Sequence, residues 1–533
     1  DLMPEAPASV IAAPLSRPFV RRRPPLLLLA AACLGPLIVV LPVGEVLLEV
    51  VRIGPHEAVA LLWRPLVAEL LINTIGLVLA ATISAAVVGT AAAWLVERTD
   101  LPARRFLAVA AAVPLAIPPF ISSYTWLSIS PALEGFAGAL IVVTSSYYPL
   151  VYLPVAASLR GMDPALEETA RSLGQGVAGA FIRVVLPQLR PALLGGMLLV
   201  ALNVLVEFGA FALLRFRTFT TELYAEYSTG FNGPAEALLA LVLLLLCLFC
   251  LIAELRIRGL ARYARIGPGV RRPLTRLSLG RARLGVFVLF VLLVLATLGL
   301  PVGMIIYWLT RHSVAAVSPV AVSLEGLIEA TLSSVWLGLA GAALTVVVAL
   351  PLGLLATRYP GRLVTLLERA AYLGQGVPGI VIALAFITIT IRAVRPLYQT
   401  ALTLIVAYAI LFLPLALVSV RAALAQAERR LEEVGRSLGL GWMRVAWRIL
   451  LPLAGPGLGA AAALVFVSIV TELTATLLLA PIGTNTLAMQ VWDDTSTLAF
   501  AAAAPYAAMM VLLSLFSTWL LARRFGATRL FQQ

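Results

Sequence analysis

The chain contains no lysine: all 39 of its basic residues are arginine. A Walker A phosphate loop needs a lysine to reach the phosphates and Schiff-base chemistry needs a lysine amine, so both are excluded. Any ATP hydrolysis linked to this protein must be carried out by another chain. Histidine is nearly as scarce. His56 and His312 fall in short segments predicted to be external, with no shared acid cluster, and no metal site is assigned to them. The three cysteines, Cys33, Cys247 and Cys250, lie inside apolar runs. The C-x-x-C of the last two reads as small apolar packing in a helix, and nothing argues for disulfides. Charged residues make up only 12% of the 533, against 61% hydrophobic, which is more apolar than soluble domains reach. The expectation is an all-α polytopic membrane protein. The net charge of +13 then concerns the bilayer, and no nucleic-acid partner is expected.

Residues 1–24 are polar and proline-rich, end in Arg21, Arg22 and Arg23, and read as a cytoplasmic tail. The apolar run that follows reaches about Val43, too long for a signal-peptide core and without a small-x-small site after it, so it reads as a retained first span with the amino terminus inside. Further runs near 66–96, 106–128, 136–158, 191–213 and 235–255 complete six spans; 284–309, 328–357, 366–391, 399–420, 456–480 and 499–522 give six more. With this topology about 32 arginines fall on the cytoplasmic side and about seven outside, as the positive-inside rule requires. Both termini are expected in the cytoplasm. The organisation is a first repeat over 25–255, an arginine-rich cytoplasmic linker over 256–283 and a second repeat over 284–533.

Duplication is visible in register. LEETARSLGQGVAGAFIRVVLP (Leu166 to Pro187) recurs as LEEVGRSLGLGWMRVAWRILLP (Leu431 to Pro452), with Glu168 and Glu433, Gly174 and Gly439, and Pro187 and Pro452 each 265 residues apart. Glu69 and Glu329, Arg98 and Arg358, Pro118 and Pro378, and Pro154 and Pro414 are each 260 apart. Six spans per repeat is an even number, so the halves are parallel and related by a pseudo-two-fold axis along the membrane normal, with the pathway between them. Each copy of the hairpin reads as helix, glycine, helix, proline. The acid sits near a helix start, where the dipole favours it. The glycine permits a left-handed or close-packed turn, and the proline stops the second short helix. GQGVAG (Gly174 to Gly179) and GQGVPG (Gly374 to Gly379) fit G-x-G-x-x-G, but neither follows a strand in a βαβ unit, so dinucleotide binding is set aside.

The spacing Glu-x-Ala-x-x-x-Gly, about nine residues, then an aliphatic residue and Leu-Pro resembles the cytoplasmic "EAA" loop of ATP-binding-cassette (ABC) importer permeases. In the loop over 160–190, Glu168, Ala170 and Gly174 match. In the loop over 421–455, Glu433 and Gly439 match, while Val434 and Gly435 stand where alanines are usual. The resemblance covers nearly the whole chain. It implies a type I ABC importer permease fold of about 12 transmembrane helices in two parallel six-helix repeats, each loop forming a coupling helix seated on an ATPase subunit. Glu168, Ala170, Arg171, Gly174 and Pro187, with Glu433, Arg436, Gly439 and Pro452, are then the coupling residues. It further implies two ATPase copies carrying ATP and Mg, no cofactor on this chain, a periplasmic binding protein, and a bacterial inner membrane.

Glu207 and Glu472, 265 apart, sit in apolar runs 16 residues after Pro191 and Pro456. At 1.5 Å per residue that is about 24 Å, the same depth in the outer half of the bilayer. Acids there are costly and usually face inward. Two readings stand: buried acids bonded to a neighbour, with Asn203 and Ser468 as candidates, or a pair facing a cation pathway. Tyr147 and Tyr148 could line the same cavity or serve packing. Pro114, Pro118 and Pro378 are expected to kink the third and ninth spans. The external segments Arg215 to Pro234 and Pro481 to Thr497 suit a soluble partner. Asp493 and Asp494 in the second read as a solvated pair or a cation attractant, and Glu69 and Glu329 as helix-start acids. Within the permeases, TELTATLLLAPIGTNTLAMQVW (Thr471 to Trp492), EFGAFALL and the fusion of both halves resemble the ferric-iron importers; thiamine and phosphonate permeases are the alternatives within that class. A secondary transporter with two six-helix halves is the rival outside it, although it has no reason to duplicate the hairpin.

Overall fold

The computed structural model describes residues 24–162, 165–230, 233–261, 276–311 and 323–524. Most of the tail, much of the linker and His312 lie outside the described residues. Among the described residues the elements are helices and short helical turns, with one isolated parallel bridge, Thr99 to Leu277. Among the described residues ten helices are long and apolar enough to cross a membrane, or up to twelve if each of two sharply bent pairs is one span.

Those bent pairs are the predicted third and ninth spans. Arg104–Ala116 meets Pro119–Ile129 at 95°, and Arg362–Gly376 meets Gly379–Ala393 at 103°. The cause is local. A residue before proline is pushed out of the helical region. Ile117 (φ −99°, ψ 116°) and Val377 (φ −99°, ψ 114°) are extended for that reason, and Pro118 and Pro378 then open the second leg. Pro114 sits harmlessly in the turn Val113–Ala116, so the break belongs to Pro118. It is a right-angled corner rather than a kink.

The first spans are exchanged between halves. Helix Leu26–Ile53 packs on Leu324–Arg358 and Gly379–Ala393 of the second repeat, whereas Leu300–Thr310 packs on Pro119–Ile129 of the first as well as on Phe500–Arg524. A Cβ at Gly35 would come within 3.2 Å of Val348 and 3.1 Å of Leu413, so this crossing is close. Within the first repeat, Gly196 lets helix Leu186–Val206 approach the Val151 backbone, where an added Cβ would lie 2.8 Å from its Cα. Small residues at crossings are the usual means of close packing where lipid supplies no hydrophobic drive between helices.

Candidate functional site

The two hairpins have the same backbone. In the first, helix Ala165–Ser172 ends at Gly174 with φ +82°; the Gly174 N–H donates to Arg171 O at 3.0 Å and the Gln175 N–H to Ala170 O at 3.1 Å. In the second, helix Arg429–Ser437 ends at Gly439 with φ +82°, and the matching bonds run to Arg436 O at 3.0 Å and Gly435 O at 3.1 Å. This is a Schellman end, in which glycine takes the left-handed position without a Cβ penalty. Glu168, Arg171 and Glu433 are exposed, Arg436 is half-buried, and Ala170 is buried against the hairpin's base. Leu173 and Leu438, also 265 apart, are 79% and 76% exposed, so each hairpin presents an apolar tip beside its acid.

Pro187 and Pro452 do not stop a short helix, contrary to the sequence expectation. The short helices Val177–Ala180 and Trp442–Val445 run through wide turns, Phe181–Val185 and Ala446–Leu450, into the membrane helices Leu186–Val206 and Leu451–Val470. A proline inside a helix clashes with the carbonyl four residues back and lacks an N–H. Widening the preceding turn to i→i+5 bonds, Leu186 N to Phe181 O and Leu451 N to Ala446 O, absorbs it.

What holds the hairpins in place was not singled out from the sequence. Arg98, closing the second span, ion-pairs with Glu167; Arg358, at the corresponding place in the second repeat, pairs with Glu432 at 2.7 Å. All four side chains are at most 12% exposed. The signal was present: the arginines share the 260 offset and the glutamates the 265 offset. In each Glu-Glu pair the second acid, Glu168 or Glu433, fits the loop's spacing and is exposed, whereas the first is the buried partner of the arginine.

Glu207 and Glu472 mark breaks in the fifth and eleventh spans. Helix Leu186–Val206 stops at Glu207, whose carboxylate accepts from the Ala210 N–H at 3.0 Å and from the Tyr147 hydroxyl at 2.8 Å. Helix Leu451–Val470 stops just before Glu472, whose carboxylate accepts from the N–H of Ala475 (2.8 Å) and Thr476 (2.9 Å) and from the Thr476 hydroxyl (2.7 Å). Each acid therefore caps the short helix beyond the break, Gly209–Leu213 or Thr474–Leu479. Asn203 and Ser468 are not the partners; each bonds back to its own helix, at Leu199 O and Leu464 O. Their spacing of four residues before the acid made them candidates, but a residue that breaks a helix turns its side chain away from that helix's face. Tyr148 is fully buried in the first repeat's core, while its counterpart Tyr408 shares a hydrogen bond with Thr476 at 2.7 Å. The two breaks touch: a Cβ on Gly209 would lie 2.8 Å from Leu473 Cδ2.

Beyond the breaks, the Phe208 ring lies within 4.9 Å of Tyr224 and 5.3 Å of Trp492, ring centre to ring centre, joining the two segments that follow the breaks. Asp493 is exposed and Asp494 half-buried on helix Leu487–Ser496. Burial, helped by the neighbouring Asp493 charge, pushes the Asp494 carboxyl up to about 6. Glu69 pairs weakly with Arg217 at 3.8 Å on the surface, and Glu329 is exposed. The cysteines are free thiols, and among the described residues no group of three or more His, Cys, Asp or Glu side chains could hold a metal.

Comparison with known proteins sets these features in a family. Residues 85–263 and 349–524 each match the profile of the binding-protein-dependent transport system inner membrane component. The Fe(3+)-transport system permease protein FbpB 2 of Haemophilus influenzae is 40% identical over 501 residues, 92% of this chain and 97% of that protein. Shorter matches include the sulfate transport system permease protein CysT of Escherichia coli, 27% identical over 33% of this chain and 68% of its own length. The molybdenum transport system permease protein ModB of Escherichia coli is 30% identical over 22% and 58%, respectively. Because the family's profile fits once in each repeat, and a relative aligns across both, the chain belongs to the binding-protein-dependent inner-membrane permeases of ABC transport systems.

Proposed function

We propose that the chain is the permease of an importer that receives ferric iron from a soluble binding protein at its outer face and releases it to the cytoplasm. Transport is driven by two ATPase subunits that carry ATP and Mg. The observation that carries the substrate is the alignment with an Fe(3+)-transport permease through 97% of that protein, both repeats included. One copy of this chain, with two hairpins, takes two ATPase copies. The hairpins dock through Glu168, Arg171, Leu173 and their counterparts Glu433, Arg436 and Leu438, and the Arg98 and Arg358 clamps pass the ATPase motion into the second spans. Both termini lie in the cytoplasm, and the aromatic face of Tyr224 and Trp492 meets the binding protein.

The pathway runs between the two breaks. Since Gly209 and Leu473 are in contact, an ion can pass only when the breaks part, and each break carries a carboxylate at the point of separation. Carboxylate oxygens are hard donors suited to a highly charged cation, and intramembrane acids of this kind mark ion routes. Tyr147 positions Glu207, and Tyr148 supports it from the packed side.

The test is reconstitution of the chain in liposomes with candidate ATPase and binding-protein subunits. Iron-loaded binding protein should stimulate ATP hydrolysis and radiolabelled iron uptake, and the double variant Glu207→Gln, Glu472→Gln should lose uptake by far more than its lowered thermal midpoint accounts for. Stimulation by thiamine- or phosphonate-loaded protein alone would replace the substrate. Uptake driven by an ion gradient without the ATPase would overturn the importer reading.

A further inference from the structure

Between the second and fifth spans of the first repeat, helices Pro65–Arg98 and Leu186–Val206, lies a lateral cavity of about 630 Å³ walled by Ala86, Val87, Thr90, Trp94, Phe181 and Leu193. That is the size of sites that accept small-molecule ligands. From Ala86 to Trp94 the wall rises about 12 Å, ending one turn before the clamp residue Arg98. At its hairpin end the Phe181 ring meets the Trp94 ring edge-on at 4.6 Å, and the Arg98 guanidinium lies 5.7 Å over the same indole. Thr90 Oγ1 is shielded from solvent and has no hydrogen-bond partner.

One arginine stands on the cavity's side of helix Leu186–Val206. Arg190 follows Leu186 by four residues and precedes Leu193 by three, so all three share one helical face, and both Arg190 and Arg183 are exposed. The second repeat does not copy this arrangement. Leu350, Leu354 and Ala446 stand where the first has Thr90, Trp94 and Phe181.

We propose that the cavity binds one anionic phospholipid of the cytoplasmic leaflet, the orientation resting on the topology proposed above. An apolar cleft between membrane helices faces hydrocarbon, which makes an acyl chain its natural occupant. The chain lies along Ala86, Val87 and Ala91 onto the Trp94 face. Arg190, whose long stem reaches toward the interface, takes the phosphate. A chain seated on Trp94 also backs the ring that carries Arg98, so the occupied site steadies the first hairpin's clamp and leaves the second untouched.

The experiment uses the full chain in phosphatidylcholine vesicles doped with phosphatidylglycerol bearing a photoreactive acyl chain, with adducts mapped by peptide. Adducts should fall on the peptides holding Trp94 and Phe181, and Ala91→Phe, which fills the cleft, should lower them about tenfold. Should that variant fail to insert, Leu193→Trp fills the cleft from the opposite wall. Arg190→Gln should reduce labelling by phosphatidylglycerol about fivefold and leave labelling by photoreactive phosphatidylcholine unchanged. Equal labelling of the wild type and the filled variant, or equal labelling by the two lipids in the wild type, would overturn the proposal. The readout involves neither iron nor the ATPase, so its failure is separate from failure of the transport reading.

Discussion

The two hairpins share a turn and differ in what ties it down. In the second repeat Arg358 bonds Glu432 and also the carbonyls of Leu424 and Ala427, both at 3.1 Å, and the next residue, Tyr359, accepts from the Trp442 indole at 3.2 Å. In the first, Arg98 pairs with Glu167 but its Nε is buried without a partner. The next residue there, Thr99, faces the inter-repeat linker instead, and Leu277 N–H donates to Arg98 O at 2.8 Å. Duplication therefore preserved the backbone of the exposed hairpin turn. The internal anchorage was free to diverge, with the second hairpin held by the bundle and the first partly by the linker.

The largest expected effect comes from cutting these anchors. Removing one partner of a buried ion pair leaves the other charge without compensation and typically costs about 3–5 kcal/mol. Arg358→Ala also strands two carbonyls, so it should loosen the second hairpin more than Arg98→Ala loosens the first. Hydrogen exchange of peptides 165–185 and 429–450 would measure both. Equal protection loss in the two variants would mean that the additional bonds of Arg358 carry no weight.

Next come the turn glycines, where the repeats should behave alike. Both stand at φ +82° and an added Cβ would meet nothing within 4 Å at either, so the penalty is purely one of backbone conformation. A non-glycine residue in the left-handed region costs about 1–2 kcal/mol, and a β-branched one more. Gly174→Val and Gly439→Val should therefore uncouple ATP hydrolysis from transport to the same degree without altering insertion of the bundle. A difference between them would show that an ATPase contact distinguishes the hairpins.

The acids sharpen the contrast further. A phenol reaches Glu207 directly, whereas at Glu472 a threonine takes that role and Tyr408 stands behind it; Phe211 occupies the first repeat's equivalent of Thr476, and Ala407 the second repeat's equivalent of Tyr147. Tyr147→Phe and Thr476→Val each leave a buried carboxyl oxygen short of one side-chain donor, about 1–3 kcal/mol. Thr476→Val also orphans the Tyr408 hydroxyl, so it should lower the thermal midpoint more. A larger effect of Tyr147→Phe would place the greater dependence on the first break.

Much of this could be read beforehand because membrane constraints are strong. Span count and the offsets of 260 and 265 follow from apolar length and repetition, and proline's effect on its predecessor put a bend at Pro118 and Pro378, though not its right angle. The partners of Glu207 and Glu472 did not, because a break redirects the side chain in a way that helical periodicity cannot anticipate. The wide turns before Pro187 and Pro452 were equally hidden, since a helix can either end at a proline or widen ahead of it. The exchange of first spans is set by tertiary packing alone. The clamp pairs were legible in principle, as two offsets meeting in one contact.

The smallest effect separates the external segments. Asp493 and Asp494 occupy positions held by Ser228 and Thr229 in the first repeat, so only the second repeat titrates there. With its carboxyl raised from the ordinary 3.8 to about 6, Asp494 holds its proton more firmly folded than unfolded. Its contribution to stability is therefore fully present below pH 4 and is lost as the pH rises through 6. Asp494→Asn fixes the neutral form, so the variant should unfold about 2 °C higher than the wild type at pH 7.5, and the gap should close as the pH falls to 4. Thr229→Val, altering the first repeat's equivalent position, should shift the midpoint equally at both pH values. A gap for Asp494→Asn that stays constant with pH would mean that the carboxyl titrates normally, and that the contrast between the external segments lies in shape rather than in charge.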